Sequence, residues 1–133
     1  MYFLDSNAHI HASSGRYPKL TRRLAQVPAS EISIPSVVAA ELYYGAEKSS
    51  HKEASLEILR AFFTLYKIVP FDARAAAFYG SIRRQLERQG RPIGGNDMMI
   101  AAIVLSHNGT LVTNNVREFS RVEGLQIEDW SQG

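Results

Sequence analysis

Short apolar runs alternate with longer helical patterns along this chain of 133 residues, and this alternation limits the folds open to it. Strands are predicted over residues 2–4, 31–34, 67–71, 110–113 and, more weakly, 125–127. Helices are predicted over about 19–27, 36–48, 52–66, 73–89 and 97–107. Strands separated by helices pair in parallel, because each helix carries the chain back to the same end of the sheet. The sequence therefore predicts an α/β fold with a mainly parallel central sheet of about five short strands flanked by helices.

Capping signals support two of the helices. Asp72 precedes the helix predicted over 73–89, and Gly90 follows that helix, where a left-handed residue is common. Asn96 is predicted to cap the helix that contains Asp97, after a flexible pair of glycines, Gly94 and Gly95. This prediction places Asp97 in the first helical turn.

The composition fits one compact domain over residues 1–133. Apolar residues make up 45% of the chain and there are only 5 prolines, which argues against disorder. The chain has no cysteine, so disulfides and thiolate metal sites are excluded. No apolar stretch approaches the roughly 18 to 20 residues that span a bilayer, and no leader pattern is visible. A cytoplasmic protein with no membrane partner is the expectation.

Four acids lie at the edges of apolar runs: Asp5, Glu41, Asp97 and Glu118. An unpaired carboxylate beside a core is costly, so each of these acids needs a partner. Helical spacing puts Glu41 and Asp97 on inward faces, and Asp5 follows the first strand, where parallel sheets form their ligand crevice.

Three of these acids also have an ordinary structural interpretation. Asp5 alone would be a helix N-cap, Asp97 a first-turn acid favoured by the helix dipole, and Glu41 the partner of a buried arginine. Taken together, clustered carboxylates repel one another unless a cation neutralises them. Oxygen-only ligands select a hard ion such as Mg²⁺ or Mn²⁺.

Five segments then carry a resemblance to a known family: residues 4–7, 40–49, 90–97 with 100–102, 111–119, and 124–130. In order and spacing they resemble PIN-domain ribonucleases and, more closely, VapC-type toxins of bacterial type II toxin–antitoxin systems. The resemblance covers nearly the whole chain. It implies a PIN-like domain in which Asp5 and Asp97 are the principal metal ligands and Glu41 supports the same site.

The fourth acidic position departs from the family pattern. Many PIN domains have an aspartate shortly after the fourth strand, where this chain has Asn114 and Asn115. Glu118 is expected to compensate, directly or through water; the alternative is a surface pair with Arg117 or Arg121. Ser6 stands where the family usually has threonine, and either hydroxyl can hydrogen-bond beside the first ligand.

The resemblance implies a Mg²⁺-dependent endoribonuclease, with Mn²⁺ able to substitute, that hydrolyses RNA phosphodiester bonds and so arrests translation. The expected substrate-binding residues are Ser6, Asn115, Arg83, Arg84, Arg91 and Arg117. The arginines have an alternative interpretation as solvated helix faces. The implied partners are a VapB-type antitoxin, an RNA substrate with tRNA favoured, a second copy of the chain in a homodimer, and operator DNA only through the antitoxin.

Two other classes of function remain open at this point. One is a phosphoacceptor signalling domain with Asp72 as the acceptor, and the other is a catalytically inactive module that binds RNA or protein. His9 and His11 are given no site role, since no zinc-site spacing accompanies them. Tyr43, Tyr44 and Tyr79 are candidates for base stacking, although packing is the commoner use of such residues.

Overall fold

The computed structural model describes residues 1–8 and 17–131, so His9 and His11 lie outside the described residues. The strands are β1 Tyr2–Leu4, β2 Ile32–Pro35, β3 Lys67–Val69, β4 Thr110–Val112 and β5 Gln126–Glu128. The helices are α1 Pro18–Gln26, α2 Ser36–Glu47, α3 Lys52–Leu65, α4 Ala73–Gln89, α5 Gly95–Ser106 and α6 Val116–Phe119. Residues 6–8 are also helical. None of the helices in the described ranges has the length and apolarity required to span a bilayer.

The five strands form one sheet in the order β3-β2-β1-β4-β5, and every neighbouring pair is parallel. The α/β prediction with a parallel central sheet is confirmed. Strand β1 lies at the centre, where Tyr2 pairs with Ile32 on one side and Thr110 on the other. The strand order reverses direction between β1 and β4, which is the place where open α/β sheets form a ligand crevice.

The core is built around the central strand and helix α5. Phe3 and Leu4 of β1 are completely buried, as is Leu111 of β4. All five residues from Ile100 to Val104 are also inaccessible to solvent, so α5 is surrounded by protein along this stretch. This packing fixes the N-terminus of α5, and therefore Asp97, relative to the end of β1.

The predicted ends of α4 are correct, whereas the predicted start of α5 is wrong. The Asp72 carboxylate accepts a hydrogen bond of 3.0 Å from the Ala75 amide, and Gly90 has a φ of 62°, as predicted for the two ends of α4. The prediction that Asn96 caps α5 is wrong. The N-cap is Gly94, whose carbonyl accepts a 3.0 Å hydrogen bond from the Met98 amide, so the helix begins one residue before Asn96.

Four of the five strands also differ from their predicted bounds by one or two residues: β4 ends at Val112 rather than residue 113, and β2 extends to Pro35 rather than residue 34. Strand β3 ends at Val69 rather than residue 71 because Pro70 has no amide proton, and the Phe71 amide donates instead to Ser36 Oγ at 3.0 Å. Strand β2 begins at Ile32 because Glu31 belongs to a 3₁₀ turn, Ala29–Glu31. Strand β5 lies one residue later than predicted.

Candidate active site

Asp5 is held rigidly at the carboxyl end of β1. Its amide continues the sheet by donating to the Val112 carbonyl at 3.1 Å, and only 4% of the residue is exposed. One carboxylate oxygen accepts from the Ser6 amide and the other from the Thr113 hydroxyl, each at 2.8 Å. Burial raises the pKa of Asp5, while these hydrogen bonds act in the opposite direction. The carboxylate is therefore fixed in orientation but poorly solvated.

Thr113 was not among the predicted site residues. It is 2% exposed and follows β4 as Asp5 follows β1, so the two side chains meet at the switch point of the sheet. A polar residue directly after a second buried parallel strand was the available signal. Its role here is to position Asp5.

Glu41 enters the crevice from α2. The side chain is half-buried, and its Oε1 atom is shielded from solvent with no hydrogen-bond partner in the described part of the chain. Burial raises the pKa of Glu41, and repulsion from Asp5 raises it further. Hydrogen bonds from Asn96 and Ser6 lower the same pKa but do not offset the rise. A buried acceptor without a donor is costly, and a cation would remove that cost.

Asp97 is the third residue of α5 and is the most perturbed of the acids. Burial is the largest cause, followed by repulsion from Asp5, Glu41 and Glu118, and together these raise the pKa of Asp97 to about 6. The repulsion shows that the four predicted acids share one electrostatic environment, although they come from four separate segments of the chain.

Glu118 is linked to Asp5 through a short series of hydrogen bonds. The Asn115 side-chain amide donates to Glu118 at 3.3 Å, and the Asn115 backbone amide donates to Thr113 Oγ1 at 3.0 Å. Within residues 1–8 and 17–131, neither Arg117 nor Arg121 forms an ion pair with Glu118. The surface-pair alternative therefore has no support in the geometry.

The donor set fits a hard divalent cation. It consists of carboxylate oxygens that repel one another, one of them buried and without a donor. In the described ranges, no three Asp, Glu or His side chains are already grouped as ligands of a single ion. Mg²⁺ commonly binds one or two carboxylates and keeps several waters, so it does not require such a group.

Comparison with known proteins identifies the family. The model of the PIN domain family matches residues 2–125. The chain belongs to the PIN-domain family.

Its relatives place this PIN domain among the VapC ribonucleases. It is 42% identical to the tRNA(fMet)-specific endonuclease VapC of Shigella flexneri, over 98% of both chains. It is 37% identical to ribonuclease VapC2 of Rickettsia felis, over 99% of both chains. The DNA-bound VapBC complex of Salmonella typhimurium contains a chain with a TM-score of 0.91 and 37% identity, over 97% of each chain. The VapC-type resemblance is confirmed.

The predicted basic residues of this PIN domain are distributed unevenly. Arg117 directly precedes Glu118 in α6, and Arg91 is exposed on the segment that leads to α5. Arg83 pairs with Glu87 along α4 at 3.4 Å. Arg84 lines a separate cleft together with Arg88, Gln85, Gln89 and Glu123, and none of the four acids lines that cleft.

An apolar cleft of about 460 Å³ adjoins the acids. Glu41 and Asn96 line it together with Val37 and Met99, and Tyr44 lies at its edge, 66% exposed. Tyr43 contacts Phe63, with ring centroids 5.4 Å apart, and Tyr79 contacts Phe71 at 6.3 Å. Tyr44 is therefore the tyrosine of the three best placed to meet a base beside the acids.

Asp72 does not join the acids. Its side chain is exposed and caps α4 through the Ala75 amide, and Asp97 is not perturbed by it. The arrangement therefore offers no support for a phosphoacceptor at Asp72.

Proposed function

We propose that this protein is a VapC-type toxin, an endoribonuclease that hydrolyses RNA phosphodiester bonds with Mg²⁺, or Mn²⁺ in its place. One observation carries the proposal: Asp5, Glu41, Asp97 and Glu118 share a crevice at the switch point of the sheet, where they repel one another. An arrangement that costs stability without a cation is typical of a metal-dependent hydrolytic site.

In this proposal Asp5 and Asp97 are the principal ligands of the cation, Glu41 supports the same site, and Glu118 completes it directly or through water. A divalent cation there would supply Lewis acidity, acidifying a water molecule and offsetting negative charge on the reacting phosphate. Thr113 and Ser6 fix the Asp5 carboxylate by hydrogen bonds of 2.8 Å, so that it needs little reorganisation. Asn115 does the same for Glu118 at 3.3 Å.

The proposed substrate is tRNA, and initiator tRNA is the first to test. The Shigella flexneri relative is named a tRNA(fMet)-specific endonuclease and is 42% identical over 98% of this chain. Ser6 and Asn115 lie beside the acids and would contact the cleaved nucleotides. The arginines proposed to hold phosphates around them are Arg83, Arg84, Arg91 and Arg117.

The proposed partner is a VapB-type antitoxin, which would inhibit the toxin and connect it to operator DNA. The Salmonella typhimurium VapBC complex was solved bound to DNA, and this chain matches it at a TM-score of 0.91. We further propose a homodimer that acts in the cytoplasm and, when free of antitoxin, arrests translation by removing a tRNA.

The test is to incubate the purified protein with initiator tRNA that has been transcribed in vitro, and to look for cleavage. We expect discrete fragments with Mg²⁺, none with excess EDTA, and recovery when Mn²⁺ is added. Full cleavage in EDTA would contradict the metal-dependent mechanism. No cleavage of initiator tRNA or total tRNA with either ion would instead favour the inactive binding module.

A further inference from the structure

A basic cleft lies between α1 and the end of β5, separate from the four acids. Its volume is about 490 Å³, and its lining includes three cationic side chains, Lys19, Arg22 and Arg23, all from α1. On the other side it is bounded by residues 128–130. None of the proposed substrate-binding residues lines it.

One cation and both acids of the cleft are already engaged with neighbours. The Arg23 guanidinium lies 4.9 Å from the ring centre of Trp130 and 3.6 Å from the Glu128 carboxylate. The same Glu128 oxygen accepts from the Trp130 indole at 2.9 Å. Asp129 accepts from the Ser131 amide at 2.9 Å. Among the described residues, Glu128 pairs with Arg23, and neither acid forms an ion pair with Lys19 or Arg22.

Lys19 and Arg22 are the remaining cations. Both are exposed on α1, and neither forms an ion pair or hydrogen bond with another residue of the described part of the chain. Two free cations beside a guanidinium stacked on an indole form a surface that suits a polyanion with flat bases.

The cleft lies at the same carboxyl edge of the sheet as the acids, since residues 129 and 130 follow β5 as Asp5 follows β1. Asp129 and Trp130 line it, and with Thr113 and Asn114 they also line a small void of about 10 Å³. The Thr113 amide donates to the Glu128 carbonyl at 3.1 Å, and the Thr113 hydroxyl binds Asp5. An RNA strand that crosses this edge from the acids toward β5 would run in the direction of the free cations of α1.

We propose that this cleft binds the RNA backbone beyond the cleaved phosphate, with Lys19 and Arg22 neutralising phosphates and Arg23 presenting its outer face to a base. The proposal rests on the ribonuclease function proposed above. Four carboxylates repel a polyanion, so affinity for RNA has to come from cations outside the crevice. The net charge of only +2 makes the position of those cations decisive.

The test uses Trp130, the only tryptophan of the chain, as a fluorescent reporter inside the cleft. Initiator tRNA is titrated into the intact protein in EDTA, so that binding is measured without cleavage. We expect the tRNA to change Trp130 fluorescence. The double variant Lys19→Ala/Arg22→Ala should bind about tenfold more weakly, and its salt dependence (log Kd against log salt) should fall by about 1.5, since each lost phosphate contact removes roughly 0.7 to 0.9.

The matched control is Arg60→Ala/Lys67→Ala, which removes two exposed cations from α3 and β3, at the opposite edge of the sheet. This control should keep the wild-type affinity and salt slope. With Mg²⁺, the α1 double variant should lose about tenfold in kcat/KM through a higher KM.

The proposal is overturned if both double variants bind tRNA with the same affinity and salt slope. A change in Trp130 fluorescence on adding an acidic peptide such as polyglutamate would then show only that the cleft binds another polyanion. A wild-type protein that binds tRNA through Lys19 and Arg22 but cleaves nothing would sink the proposed function and leave the binding cleft intact. If the Lys19→Ala/Arg22→Ala variant cleaves tRNA like the wild type, the binding cleft is overturned and the proposed ribonuclease function stands.

Discussion

Helices α4 and α5 both begin beside an aspartate, and the two aspartates have opposite consequences. Asp72 is exposed and accepts the Ala75 amide at 3.0 Å, which satisfies a free donor of α4. Asp97 lies within the first turn of α5, where burial and then repulsion from other carboxylates raise its pKa to about 6. An acid at a helix start is stabilising when the amides are its neighbours and destabilising when carboxylates are. The second arrangement is the one that a cation would stabilise.

The largest expected effect separates the two aspartates by activity. Asp97→Asn should lower tRNA cleavage roughly a thousandfold, because a lost metal ligand removes several kcal/mol of transition-state stabilisation. Asp72→Asn should cleave at the wild-type rate. The measurement is kcat/KM on initiator tRNA with Mg²⁺, together with circular dichroism to verify folding. A folded Asp97→Asn variant with full activity would remove Asp97 from the site.

Glu118 should show a smaller effect of the same kind. Glu118→Gln keeps the size of the side chain but removes its charge, and we expect about a tenfold loss of kcat/KM, typical of a supporting ligand. Glu47→Gln is the matched control, because Glu47 pairs with Lys52 at 2.9 Å on an exposed surface. Equal activity of both variants would leave Glu118 without a role.

Stability should reveal the cost of Asp97 in the metal-free protein. Its folded pKa of about 6 lies above the ordinary 3.8, so the folded state binds this proton more tightly than the unfolded chain. Ionised Asp97 therefore lowers stability above about pH 6, and this loss disappears below about pH 4. The full shift would be worth about 3 kcal/mol. Partial exposure and the helix dipole reduce this to about 1 to 2 kcal/mol.

We accordingly expect Asp97→Asn to raise the free energy of unfolding by about 1 to 2 kcal/mol at pH 8 in EDTA, and by nothing at pH 4. Urea denaturation at several pH values measures this difference. Added Mg²⁺ should reduce it, since the wild-type site then gains a ligand that the variant binds poorly. A difference independent of pH would refute the interpretation.

The smallest effect belongs to the cap. Asp72→Ala should lower the free energy of unfolding by about 1 kcal/mol at pH 7, the usual cost of a lost N-cap. Cleavage activity should not change. Thermal denaturation beside the activity assay tests both statements, and a large loss of activity in a stable Asp72→Ala protein would show that α4 and α5 are not as different as proposed.

Local chemistry explains which parts of the fold were predictable. The Asp72 cap and the left-handed Gly90 depend on residues a few positions away, and both were predicted correctly. Asn96 had the same local signal as Asp72 but does not cap its helix. Extended backbone at Gly94 starts α5 at Gly95, two residues earlier than predicted, and Asn96 faces Glu41 instead.

The sequence by itself determined the parallel α/β class, the order of the five strands and the five longer helices, and the candidate acids, because periodicity and capping act over short distances. Only the tertiary structure decided that Thr113 orients Asp5 at 2.8 Å, that Asn115 connects Glu118 to the same hydrogen-bonded series, and that the α1 cations open onto that edge of the sheet. Asp5 and Thr113 are 108 positions apart and meet only because β1 and β4 pair. Burial and repulsion likewise depend on which segments converge, and no local pattern encodes them.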